Sequence, residues 1–138
     1  MKKYRLYLDN CCFNRPFDDQ KNLTVYFETQ SKISIQEMIK NNEIELVWSF
    51  ILTAENEANF NIVRRDKIAV WINKAIAYIQ FENDIEQNAR VFFNEVNIKP
   101  KDAFHLACAI KANCDFFLTT DNKLINKSNY IKKIIIIN

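Results

Sequence analysis

The sequence of 138 residues contains no glycine. That absence removes the glycine-rich phosphate cradles outright, because the Walker loop and the dinucleotide fingerprint both need residues without a Cβ where backbone meets phosphate. Nucleotide-cofactor enzymes of those types are excluded. Prolines number two and cysteines four, at Cys11, Cys12, Cys108 and Cys114, with no Cys-x-x-Cys pair. Neither a zinc ribbon nor a dithiol redox motif is indicated, and reduced thiols packed as apolar fillers are expected. No apolar run approaches the roughly 18 residues of a membrane span. The opening Met-Lys-Lys-Tyr-Arg-Leu-Tyr-Leu-Asp holds too short an apolar stretch for a signal peptide, so a soluble cytoplasmic protein is expected. A net charge of +2 is too small to argue for nucleic-acid binding by itself.

What is present is a globular composition, 49% hydrophobic and 26% charged, in a length that suits a single domain over residues 1–138. Tyr4 to Asn10 reads as a short buried strand ended by an Asp-Asn turn signal. Cys11 to Lys21, with Pro16 and an Asp-Asp-Gln-Lys-Asn run, is expected to be a polar loop. The spacing of Val25, Tyr26, Ile33, Met38 and Ile39 predicts a helix from about Leu23 to Lys40, closed by Asn41-Asn42. Ile44 to Trp48 is a second strand, with Ser49 capping a helix over Phe50 to about Ile62 that continues as Arg64 to Ala77. The pattern leaves Tyr78 to Phe81 open between a helix end and a short third strand. Helices follow over Asn83 to Glu95 and from Pro100 to about Asn113. Then come a strand at Asp115 to Thr120, a short helix capped by Asp121, and a β-branched strand at Ile134 to Ile137. This alternation argues a three-layer α/β/α sandwich around a parallel sheet of four to five strands.

Ligands of open α/β sheets bind beyond the carboxyl ends of the strands, which makes Asp9, at the end of the first strand, a candidate functional residue. Asp102 and Asp121 stand at comparable places. Glu55 falls within the apolar arc of Phe50, Ile51, Ala54, Ala58 and Ile62, where a carboxylate needs a partner; Glu57, at the margin of the arc, is solvated. Each aspartate also has a plain structural role open to it: a turn residue at Asp9, a helix first-turn acid at Asp102, an N-cap at Asp121. Brought together, the four would repel one another unless a cation sat among them. Oxygen-only donors favour Mg²⁺ or Mn²⁺, ions that serve phosphodiester hydrolysis.

His105 lies one turn after Asp102 and one before Cys108, which on one helix face would give an Asp-His-Cys zinc set. A fourth ligand is missing, and a packed or surface histidine is preferred. Asp115 is read as a loop or capping residue. Phe13 and Phe17 are weighed as base-stacking groups, with core or interface packing preferred.

The chain resembles the PIN domain family, metal-dependent nucleases found in the toxins of many bacterial toxin-antitoxin pairs. The resemblance rests on the strand ending in Asp9, on Glu55, on Lys-Asp-Ala-Phe-His-Leu-Ala-Cys-Ala at 101 to 109, and on Phe-Leu-Thr-Thr-Asp-Asn at 117 to 122. It implies that Asp9, Glu55, Asp102 and Asp121 bind Mg²⁺ or Mn²⁺ and cut RNA, with Thr119 supporting the site. Asn10 and Asn122 are weaker supporting positions, standing where the family often has Thr or Ser and a further acid. Arg15, Lys99, Lys101 and Lys123, close in sequence to the acids, are candidate RNA contacts. A homodimer and a small antitoxin partner are also implied. The alternative from another class is a catalytically weak PIN-like module that binds RNA or protein. A receiver-type phosphoacceptor is disfavoured because Trp48-Ser49 offers no acid, and a dehalogenase-type phosphatase because Asp9-Asn10-Cys11 is not Asp-x-Asp.

Overall fold

The computed structural model describes residues 2–138. Five strands, β1 (Arg5–Leu8), β2 (Glu45–Ser49), β3 (Ala75–Ile79), β4 (Phe116–Leu118) and β5 (Ile135–Ile137), form one sheet in the order β3-β2-β1-β4-β5. All four pairings are parallel. A parallel sheet is covered on both faces, and its central strands are accordingly almost wholly apolar: Tyr7, Leu8, Leu46, Val47, Trp48, Phe117 and Leu118 are buried. Seven α-helices complete the described residues: α1 (Asn10–Asn14), α2 (Leu23–Lys40), α3 (Phe50–Glu57), α4 (Ile62–Ala69), α5 (Asn83–Val91), α6 (Pro100–Lys111) and α7 (Asn122–Ile125). The strand order runs outward from β1 in both directions, so right-handed crossovers send α2 to α4 over one face and α5 and α6 over the other. The result is the three-layer sandwich. Its topological switch lies between β1 and β4, and the crevice beyond their carboxyl ends is where such a sheet offers a site.

Side chains cap the helices where the chain enters them. Asn22, Ser49, Asn61 and Asp121 each accept a hydrogen bond from a backbone N–H of the first turn of α2, α3, α4 and α7. Leaving a helix commonly requires a left-handed residue, for which glycine is the usual choice. Here asparagine substitutes: Asn42, Asn97 and Asn113 adopt φ of 59°, 59° and 57°. Asn is the side chain that tolerates this region best after glycine.

The structure departs from the sequence expectations at four places. Cys11 to Lys21 is not simply a loop: Asp9 caps the five-residue α1, which is anchored by buried Cys12 and Phe13, and Arg15–Phe17 forms a 3₁₀ turn. The helix from Phe50 ends at Glu57 and α4 at Ala69, after which a 3₁₀ turn over Val70–Lys74 leads into β3. The stretch through Ala77 is therefore not continuous helix. Of the two readings open for Tyr78 to Phe81, the strand is the one formed, and it runs over Ala75–Ile79. Its half-exposed alternation is that of an edge strand paired on one side only. Finally, α3 faces the core with Leu52 and Asn56; Ala54, Ala58 and Ile62 are exposed. No helix among the described residues is long and apolar enough to cross a membrane.

Candidate active site

The carboxyl ends of β1 and β4, joined there by the starts of α3 and α6, meet at one rim of the sheet. Asp9 follows β1 directly and is 7% exposed. Its Oδ1 accepts the N–H of Asn10 at 2.8 Å and its Oδ2 accepts the hydroxyl of Thr119 at 2.9 Å. The Thr119 hydroxyl oxygen in turn accepts the N–H of Asp121 at 3.1 Å, so one buried threonine ties the first acid to the backbone of the last. Asp121 caps α7 by accepting the N–H of Lys123 at 2.9 Å. The structural roles weighed from sequence are thus real, yet a carboxylate offers about four lone-pair sites, and capping uses one or two of them.

Glu55 reaches the rim from α3, half-buried. One of its oxygens is hydrogen bonded to Nε2 of His105, which also lies 3.7 Å from Oδ1 of Asp9. Oxygen or nitrogen atoms of Asp9, Glu55 and His105 all fall within 4.8 Å of one another. Asp102 and Asp121 flank this group and line a groove of about 360 Å³ together with Asn97, Lys99, Lys123, Asn126 and Lys127. Burial pushes the Asp102 carboxyl up to about 6, and the charges of Asp9 and Asp121 add to the shift, against a smaller opposing effect from His105 and Lys99. The rise reports burial first and the neighbouring acids second. The oxygen donors gathered there fit a hard divalent cation; Asn10 Oδ1, one residue after Asp9, is a further buried oxygen lacking a hydrogen-bond partner.

A family model for the PIN domain matches residues 6–129. The chain belongs to the PIN domain family. No curated protein matches the chain by sequence. Solved structures share the fold, among them two that cover 96% of this chain. VapBC2 from Rickettsia felis, bound to a DNA fragment from their promoter, aligns with a TM-score of 0.62 at 14% identity, covering 96% of this chain and 96% of that one. FitAcB from Neisseria gonorrhoeae aligns with a TM-score of 0.58 at 16% identity, again over 96% of each chain. The PIN domain family is generally one of nucleases, and the acidic rim of this member is a possible metal site.

Of the four acids picked out in the sequence of this PIN domain, Asp9 and Glu55 fall in the cluster with His105, while Asp102 and Asp121 line the groove, and Thr119 links Asp9 to Asp121. Of the basic candidates, Lys99 and Lys123 line the groove. Lys101 is exposed on α6 outside the groove lining. Arg15 is held in ion pairs by Asp18 and Glu28, each at 3.0 Å. Asn122 is exposed at the start of α7. Phe13 is wholly buried against Trp48, and Phe17 carries the Arg64 guanidinium over its ring.

Lys127, which borders the groove, is not among the basic residues the sequence points to. His105 is packed, at 1% exposure, as one of the two expected placements has it, and the sequence pattern does not show that it lies against Asp9 and Glu55. Cys108 turns instead toward Ser49, and burial pushes its thiol up to about 12, so the Asp-His-Cys zinc set is not assembled. The surroundings of His105 come from Tyr7 on β1 and from Ser49 and Glu55 at α3, two segments far from α6 in sequence, and no local pattern connects them to it.

Proposed function

We propose that this PIN domain is a Mg²⁺- or Mn²⁺-dependent endoribonuclease in which Asp9, Glu55, Asp102 and Asp121 hold the cation, acting in the cytoplasm as the toxin of a toxin-antitoxin pair. What supports the reading is the meeting of Asp9, Glu55 and His105 at the switch-point rim, each offering a ligand atom within 4.8 Å of the others, with the Asp102 carboxyl raised by burial and then by the charges of Asp9 and Asp121. When bound, the divalent ion would lower the pKa of a water molecule to make it the nucleophile and neutralise charge on the scissile phosphodiester.

The residues of the chain supply position and charge. Thr119 fixes the Asp9 carboxylate through its hydroxyl, and Asn10 N–H holds the other oxygen. The groove leading from Asp102 and Asp121 has Lys99, Lys123 and Lys127 along it, and among the described residues none of the three has an acidic side chain within 4 Å. Lysines of that kind are free to meet the phosphates of a strand that threads toward the acids. Phe60, Ile62 and Val63, exposed together at the α3–α4 turn, offer an apolar patch for an antitoxin or a second copy of the chain.

The test is cleavage of a mixed-sequence single-stranded RNA. Cutting is expected with Mn²⁺, is stopped by EDTA, and is lost in Asp9→Asn while the fold survives. Cleavage by purified Asp9→Asn at the wild-type rate sinks the proposal. Retained RNA binding with no cleavage under any divalent ion favours the binding-module alternative.

A further inference from the structure

Three residues form a continuous buried chain behind Glu55. Ser49 Oγ lies 2.6 Å from Tyr7 Oη, and Tyr7 Oη lies 2.6 Å from His105 Nδ1. His105 Nε2 then meets Glu55. Ser49, Tyr7 and His105 are each no more than 1% exposed. Ser49 Oγ also accepts the N–H of Leu52 at 3.3 Å, which fastens the chain to the first turn of the helix that carries Glu55.

Both ring nitrogens of His105 are thus engaged inside the protein, Nδ1 by Tyr7 and Nε2 by Glu55.

We propose that His105 is a positioning residue and not a metal ligand: with Nδ1 held by Tyr7 and Ser49 behind it, its Nε2 holds one oxygen of Glu55 and leaves the second for the cation. The inference rests on the metal-site reading above. Partners of this kind behind metal-binding carboxylates commonly change affinity by about 10–100-fold.

The experiment is Mn²⁺ titration of the purified full chain followed by electron paramagnetic resonance, with ¹⁵N NMR of His105. The wild type is expected to show Nε2 protonated with and without Mg²⁺, and no ¹⁴N coupling of a directly coordinated imidazole to Mn²⁺. His105→Leu should weaken Mn²⁺ binding by about 10–100-fold. His105→Gln, which returns an N–H near the Nε2 position, should recover most of it. A coordinated-nitrogen coupling that disappears in His105→Leu overturns the proposal, as does unchanged Mn²⁺ affinity in a folded His105→Leu. Should that variant not fold, the wild-type coupling and tautomer decide. Mn²⁺ bound with this signature but no RNA cleavage defeats the nuclease reading and leaves the positioning role intact; no Mn²⁺ binding at all defeats both.

Discussion

Asp115 and Asp102 are the same residue type at opposite rims of one sheet, and their surroundings push them in opposite directions. Asp115, just before β4, accepts the N–H of Arg5 at 2.8 Å and the Lys2 ammonium at 3.1 Å, and these partners hold its carboxyl below the usual carboxylate range. Asp102, on the first turn of α6, is surrounded by burial and by two other acids, and its carboxyl rises to about 6. One rim has its negative charge matched by the chain itself. The other gathers charge that the chain leaves unmatched, at a cost to folding, which is what a binding site for an external cation requires.

The widest separation between the two rims should be in activity. Asp102→Asn is expected to lower RNA cleavage by more than about 100-fold, beyond the usual effect of an outer partner, whereas Asp115→Asn leaves the rate within about twofold; equal losses would erase the distinction. Stability should move the other way. In EDTA, Asp102→Asn should stabilise the chain by about 1–2 kcal/mol in denaturant unfolding, and Asp115→Asn should destabilise it by about 1 kcal/mol. Saturating Mn²⁺ should cancel the advantage of Asp102→Asn, because only the wild type gains from the ion.

The pH dependence sharpens this further. A folded pKa of about 6 against an unfolded value of 3.8 means that the folded chain holds the Asp102 proton more tightly. Its contribution therefore favours folding at low pH and is lost as pH rises through that window. Asp115, with a lowered folded pKa, stabilises the fold at neutral pH and loses that contribution only as pH falls below its unfolded value. Unfolding measured in EDTA from pH 4 to 7 should show wild type losing ground to Asp102→Asn as pH rises. Parallel curves would contradict the assignment. The smallest effect concerns the lysines: Lys123→Ala and Lys127→Ala should each weaken RNA binding a few-fold and flatten its salt dependence, while Lys2→Ala, beside Asp115, should change neither.

The parts of this arrangement that were legible in the sequence are those written locally. A strand closing on Asp9, an Asp in the first turn after Pro100, and Thr119 two before Asp121 are short-range patterns, and each sits where its pattern implied. Glu55 also sits at the rim, although the apolar arc that singled it out was misdrawn, since Leu52 and Asn56 face inward while Ala54 and Ala58 face water. β3 was hard to see because an edge strand keeps only half of its side chains in contact with the core, and Ala75, Ala77 and Ile79 give a weak signal. α1 was hidden by Pro16 and the polar run behind it. His105 depends on three distant segments meeting, and Arg15 on the acids Asp18 and Glu28 that fold back to it, so neither environment exists until the tertiary structure does.

The three left-handed asparagines have a consequence for motion. With Asn42, Asn97 and Asn113 at these corners and no glycine anywhere in 138 residues, the backbone lacks the residue that most easily swivels. Asn97 stands at the mouth of the groove beside Lys99. Any widening to admit a strand would then draw on corners held by asparagine and not on a glycine hinge.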